Sequence, residues 1–147
     1  MIPRSNSEDY RKRDKARPPR ILVVDDVWTM RDFFKTIIRH WRADVMVICR
    51  ARGEAAWRDV LRKPPDLLIT DISRGGIGGY QMLRLLARRR VRFPILVISG
   101  SATEEDVQSC AGTDLKVSFL PKPFDLREFW RELSHHLGAG DKPRCRF

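Results

Sequence analysis

No stretch of this 147-residue chain stays apolar for the length a bilayer demands. The N-terminus also lacks the apolar core of a secretory signal, so membrane insertion and export are not expected. Cysteine is scarce: Cys49, Cys110 and Cys145 are odd in number and widely spaced. They form neither a disulfide framework nor a metal pattern, and a reducing cytoplasm is the simple inference. Negative charge is also short, with 19 Asp and Glu against 29 Lys and Arg, a net charge of +10.

The surplus is unevenly placed. Residues 1–20 carry seven basic and three acidic side chains, residues 138–147 carry three and one, and the long middle carries nineteen and fifteen. Apolar residues are nearly absent from the first stretch, so residues 1–19 are expected to be a disordered basic tail and 138–147 a shorter one. A solvated arm is the plain reading, and attraction to nucleic acid, an acidic partner or a membrane surface is the sharper one. Tyr10 is the lone aromatic of that tail, which gives specific nucleic-acid recognition no support. The middle is globular: hydrophobic residues make up 42% of the chain, enough for one domain with a proper core.

Short apolar runs organise that domain. Leu67-Leu68-Ile69-Thr70 opens after Pro64-Pro65, ends in Asp71, and is followed by a glycine-rich loop, as a buried strand feeding a loop should be. Ile21–Val24 ends in Asp25-Asp26, Ile95–Ile98 in Ser99, and Val117–Leu120 in Pro121-Lys122-Pro123. Parallel strands would bring these polar ends into one crevice, where open α/β sheets hold their ligands. Three carboxylates there need a cation between them, and an all-oxygen set suits Mg²⁺. Lys122 adds an ammonium and Ser99 a hydroxyl, so the set can stabilise a phosphoryl group made by nucleophilic attack of the Asp71 carboxylate.

In order and spacing, Asp25-Asp26, Asp71, Ser99 and Lys122-Pro123-Phe124 resemble the receiver domain of two-component response regulators, the CheY-like family. The resemblance spans about residues 20–137. It implies a doubly wound five-stranded parallel sheet of flavodoxin-like order 2-1-3-4-5, a stand-alone single-domain form, and phosphorylation of Asp71 by a histidine kinase or phosphotransfer protein. Asp25, Asp26 and Asp71, with the Ser73 backbone carbonyl, would hold Mg²⁺. Ser99 takes the switch hydroxyl position and Phe119 the switch aromatic position, and Lys122-Pro123 is expected to be cis. One departure is plain: the family's Met-Pro-Gly type loop is replaced by Ser73-Arg74-Gly75-Gly76-Ile77-Gly78-Gly79, with an arginine in an apolar position.

The remaining pattern fits. Met30, Phe33, Phe34, Ile37, Ile38 and Trp41 share one face of a helix from Met30 to Trp41, read as core, with Trp28 in the preceding loop. A strand over about Val45–Cys49 and a helix to Leu61 with Ala55, Ala56, Val60 and Leu61 apolar come next. A helix from about Gly79 to Arg88 ends in Arg88-Arg89-Arg90-Val91-Arg92, a basic corner open to a partner. Thr103 reads as the N-cap of a short, weakly apolar helix and Asp125 as that of the last one, whose stripe is Leu126, Phe129, Leu133 and Leu137. Trp130 is core or a partner anchor; His135 and His136 read as surface residues.

The functional expectation is a phosphorelay signalling switch rather than an enzyme acting on a separate substrate. Output passes through a downstream target protein or a homodimer, with no DNA-binding output domain. Two alternatives stay open. One is a phosphorylation-independent adaptor acting through its basic surface. The other is an enzyme or cofactor binder on the same fold, which Asp25-Asp26 disfavours by repelling a cofactor phosphate.

Overall fold

The computed structural model describes residues 17–72 and 79–138. The two expected tails and the loop holding Ser73 and Arg74 lie outside those residues, apart from the inner ends of the tails. Five strands alternate with five helices in the described chain. The strands are β1 (Arg20–Val24), β2 (Met46–Arg50), β3 (Leu67–Asp71), β4 (Ile95–Ser99) and β5 (Val117–Pro121). The helices are α1 (Trp28–Trp41), α2 (Gly53–Arg62), α3 (Gly79–Arg89), α4 (Glu104–Ala111) and α5 (Leu126–Leu137).

All neighbouring strands are parallel and the sheet order is β2-β1-β3-β4-β5, the doubly wound order expected from the sequence. Central strands of such a sheet are covered on both faces, which is why β1, β3 and β4 read as unbroken apolar runs. Alternate residues of each strand serve different layers. Leu22, Leu68, Ile95 and Val97 pack with Ala56, Val60, Met82, Leu83, Leu86 and Val107, so α2, α3 and α4 cover one face. Ile21, Val23, Ile69, Leu96 and Ile98 pack with Phe34, Ile37, Ile38, Trp41, Phe129 and Leu133, so α1 and α5 cover the other.

Several local expectations need correction. Trp28 opens α1 rather than sitting in the loop, because the Val27 carbonyl already accepts the Met30 and Arg31 amides. Phe33 is 40% exposed; the buried stripe centres on Phe34, Ile37, Ile38 and Trp41, and Phe33 flanks it with its ring against Phe124. Leu61 is exposed for the same angular reason, one step round the helix from buried Val60. Leu126 and Leu137 are half-buried, leaving Phe129 and Leu133 as the centre of the α5 stripe. His136 is not a surface residue: its side chain is 8% exposed and its Nε2 lies 2.9 Å from Ser118 Oγ on β5. The expected caps are present, Thr103 accepting from the Asp106 amide and Asp125 from the Arg127 amide, and Lys122-Pro123 is cis.

Candidate functional site

α1 returns from β1 on one face of the sheet, while α2 leads into β3 on the opposite face. The crevice between the carboxyl ends of β1 and β3 is therefore a topological switch point. Register sets the rest: Asp71 lies beside Ile98, and Ser99 beside Pro121, so the ends of β3, β4 and β5 form one lip.

Asp25 stands just past β1 and is 2% exposed. Its amide donates to the Arg50 carbonyl at 3.1 Å, and its carbonyl accepts from Arg31 Nη1 at 2.8 Å. Oδ1 accepts from the Val27 amide at 2.9 Å. Oδ2 is buried with no hydrogen-bond partner and has Lys122 Nζ 3.8 Å away. Burial pushes this carboxyl above the ordinary aspartate range; the Val27 N–H and Lys122 pull it down, and Asp71 and Asp26 add to the rise.

Asp71 ends β3, and its Oδ2 accepts from Lys122 Nζ at 2.7 Å. Lys122 thus bridges the two carboxylates from the far side of the lip, its own amide held by the Ser99 carbonyl at 3.0 Å. Asp26 is exposed beside them. Among the described residues no three His, Cys, Asp or Glu side chains close into a metal-holding group, because the ammonium stands between Asp25 and Asp71. The donor set still fits a hard cation. A buried carboxylate oxygen without a hydrogen bond, facing a second carboxylate, is the arrangement a divalent ion satisfies.

Ser99 is 1% exposed, and its hydroxyl is engaged by the loop that follows, accepting from the Ser101 and Ala102 amides at 3.2 Å each. Phe119 is half-buried on β5, packed against the α2–α3–α4 layer. The expected site residues Asp25, Asp71 and Lys122 are in contact, Asp26 and Ser99 border them, and Phe119 lies further down β5. Ser73 is outside the described residues. Gly79 opens α3 against β3 so closely that a Cβ there would run into Ile72, which ties the helix start to the residue after Asp71.

Sequence reasoning missed Arg31, which fastens the Asp25 carbonyl from the first turn of α1. An arginine there reads as surface charge, and no spacing rule singles it out. Of the apolar residues nearby, the sequence singles out Trp28 and Trp130 but not Val27. Val27 and Trp28 are 44% and 68% exposed, and a separate open groove of about 500 Å³ is lined by Pro123, Phe124, Asp125, Leu126, Arg127 and Trp130. Trp130 is only half-buried; its Nε1 donates to the Ile37 carbonyl at 3.0 Å.

A doubly wound sheet with aspartates, a lysine and a hydroxyl at one carboxyl-end lip defines a flavodoxin-like α/β domain with a charged switch-point crevice. Comparison with known proteins agrees: the family model for the response regulator receiver domain matches residues 21–134. The chain belongs to the receiver domains of two-component response regulators. It is 31% identical over 117 residues to the alkaline phosphatase synthesis transcriptional regulatory protein SphR of Synechococcus elongatus, covering 74% of this chain and 45% of that protein. It is 35% identical over 88 residues to a protein-glutamate methylesterase/protein-glutamine glutaminase of Myxococcus xanthus, covering 59% of this chain and 25% of the relative. The chain thus spans less than half the length of these curated relatives. The fold matches the Vibrio cholerae chemotaxis protein CheY4 with TM-score 0.68 at 20% identity, over 81% of this chain and 98% of that one. A CheY-like receiver domain of Methanospirillum hungatei matches with TM-score 0.70 at 21% identity, over 82% and 94%. No helix among the described residues is long and apolar enough to cross a membrane.

Proposed function

We propose that the chain is a phosphorylation-operated signalling switch whose acceptor is Asp71. The observation that carries this reading is the buried Asp25 carboxylate with an unpartnered oxygen, sharing one ammonium with Asp71. A structural ion pair has no need of a second, buried carboxylate in the same pocket. The Asp71 oxygen attacks the phosphorus of a phosphohistidine on a kinase or phosphotransfer partner. The bond to the imidazole nitrogen breaks, and that nitrogen keeps the electron pair. Lys122 moves with the developing charge onto the phosphoryl oxygens. Asp25, Asp26, Asp71 and the Ser73 carbonyl would hold Mg²⁺, which when bound neutralises phosphoryl charge during the transfer.

The switch is carried by Ser99 and Phe119. The Ser99 hydroxyl is tied to the Ser101 and Ala102 amides, so reaching a phosphoryl oxygen on Asp71 requires release of that loop. Movement of the loop frees space for Phe119 and changes the face made by α4, β5 and α5. A covalent group shifts such an equilibrium only by its differential interaction with the two states, and Ser99 supplies that difference. The exposed Val27 and Trp28 and the groove by Trp130 offer an apolar margin on which a phosphodonor partner can dock. Output then passes to a target protein or through dimerisation, in a reducing cytoplasm, with no turnover of a separate substrate.

The test is Trp fluorescence during addition of Mg²⁺ and then beryllofluoride, on the wild type, on Asp71→Asn, and on Trp28→Phe as a control for the reporter. A saturable Mg²⁺ response followed by a fluoride-dependent change, absent in Asp71→Asn, is expected. A chain that binds no Mg²⁺ at millimolar concentration is no phosphoacceptor, and the adaptor reading then takes over.

A further inference from the structure

The parallel sheet has a second rim, opposite Asp71, where every strand begins and every helix ends. All five strands are entered past a cation: Arg20 heads β1, and Arg42, Lys63, Arg92 and Lys116 precede β2, β3, β4 and β5, with Asp44, Asp66 and Asp114 beside three of these entrances. Five strands set these entrances along a row of about 19 Å, four spacings of about 4.8 Å each. The cations at the β1 and β2 entrances are internally engaged. Arg42 pairs with Asp44 at 2.8 Å, and Arg20 donates to the Lys63 and Pro64 carbonyls. The middle of the row is different. Residues 79–92 hold five arginines and no carboxylate. Arg88, Arg89 and Arg90 are exposed, and so are Arg62 and Lys63 at the end of the adjacent α2; of these five only Arg62 acts on a carboxylate among the described residues, its charge helping Arg50 to hold the Asp59 carboxyl low.

Helix-end chemistry accounts for Arg88 and Arg89, which face the terminal carbonyls of α3. It does not account for Arg90. That residue lies past the helix with φ 51°, in the left-handed conformation that glycine adopts without penalty. Its amide donates to Ala87 and the Val91 amide to Leu86, closing the helix as glycine would. An arginine at that position sets conformational cost against a guanidinium held outward, which points to a use for the guanidinium.

We propose that this rim is a docking surface for the phosphate backbone of a nucleic-acid duplex, centred on Arg88, Arg89 and Arg90. Arginine forks match phosphate oxygens, and a duplex presents about one charge per 1.7 Å along its axis, so a row of cations meets a row of anions. A protein partner fits less well, since interface centres are apolar and poor in charge, and exposed Leu61 is a single apolar side chain beside this cluster of cations. Stacking on single strands needs exposed rings, and the exposed Trp28 and Phe33 belong to α1 near the opposite rim. A bilayer needs an inserted apolar wedge, and the exposed Met46 and Leu61 are single side chains on separate elements. Nothing in this surface reads bases, so binding is sequence-independent.

The experiment is fluorescence anisotropy of the full chain on a labelled duplex of about 24 base pairs at two or more salt concentrations, with a matched single strand, phosphatidylserine vesicles and polyglutamate as comparison ligands. Micromolar binding that weakens steeply with salt is expected. Arg88→Gln, Arg89→Gln and Arg90→Gly combined should weaken it by at least roughly tenfold and flatten the salt slope by about three. Arg90→Gly alone should raise the urea midpoint while weakening binding, which a loss of fold cannot do. Arg52→Gln, before α2 on the Asp71 rim, should leave affinity within about twofold. Wild-type affinity in the triple variant overturns the proposal, as does equal or tighter binding to the strand, the vesicles or polyglutamate.

Discussion

The two rims of the sheet carry charge in opposite ways. At the Asp71 rim the charges are few, converging and withdrawn from water: Asp25 is 2% exposed and shares Lys122 with Asp71. At the other rim they are many, mostly basic and mostly exposed, with Asp44, Asp66 and Asp114 among them. One topology sorts both. Parallel strands send every helix N-terminus to the first rim and every C-terminus to the second, so acids suit one and bases the other. Glu104, Glu105 and Asp106 in the first turn of α4, and Arg88 and Arg89 in the last turn of α3, follow that rule. Asp25 goes beyond it, because its burial raises its free energy rather than lowering it. The dipole rule explains where such charge settles, while charge held against its own solvation, as at Asp25, also points to a use.

The largest expected effect breaks the Asp71 rim outright. Asp71→Asn should abolish labelling by a small phosphodonor such as acetyl phosphate, because no other carboxylate there is both accessible and paired with Lys122. Lys122→Ala should keep partial labelling and lose the fluorescence change that follows it, since the ammonium couples the acceptor to the β4–β5 lip through the Ser99 carbonyl. Full labelling of Asp71→Asn, read by phosphate incorporation and mass spectrometry, would remove the acceptor assignment.

The placement of these residues was legible because the sheet writes it into the chain. Each central strand is an apolar run closed by a polar residue, and register alone gathers Asp71, Ser99 and Lys122. The α/β class followed from helices alternating with runs too short to be helices themselves, and the strand order from the family resemblance. The misses have other causes. Phe33 and Leu61 are apolar residues one angular step away from a buried face, which periodicity does not resolve, and Trp28 falls at a helix start that no side-chain cap marks. His136 is buried by a hydroxyl on another element, and Arg31 acts on a carbonyl; neither partner leaves a mark in the local pattern. Arg90 looks like one more arginine until its backbone angle is known.

A smaller effect sharpens the contrast between rims. Asp25→Asn should stabilise the metal-free fold by about 1 kcal/mol while weakening Mg²⁺ binding, the trade expected where a site keeps an unfavourable charge for use. Arg88→Gln, on the other rim, should move stability by no more than about 0.5 kcal/mol, as exposed substitutions do. Urea midpoints with and without Mg²⁺ measure both. A destabilised Asp25→Asn protein would mean that the carboxylate is structural.

The smallest effect tests a buried titrating group that belongs to neither rim's chemistry. His136 sits in the last turn of α5, bonded to Ser118 and 3.4 Å from Glu132 Oε2. Burial pulls its pKa below the ordinary 6.5, the nearby Glu132 pulls it back up, and His135 and Lys116 add to the fall. The sign follows from proton counting. Well above pH 6.5 neither the folded nor the unfolded chain holds the proton, and the group contributes no pH dependence. As pH falls through the unfolded value, the unfolded chain takes up a proton that the folded chain refuses, so stability is lost until pH drops below the folded value. The slope cannot exceed about 1.4 kcal/mol per pH unit for one group. His136→Gln keeps a polar partner for Ser118 and removes the titration, so the fall in urea midpoint between pH 7.5 and 5.5 should be shallower in the variant than in the wild type, by an amount bounded by that slope. Asp25 works in the opposite sense over its own range, because its raised value makes the folded chain take the proton first, and it is common to both proteins. A wild-type slope no steeper than that of the variant would mean that the imidazole is already charged in the fold, held by Glu132 rather than by Ser118.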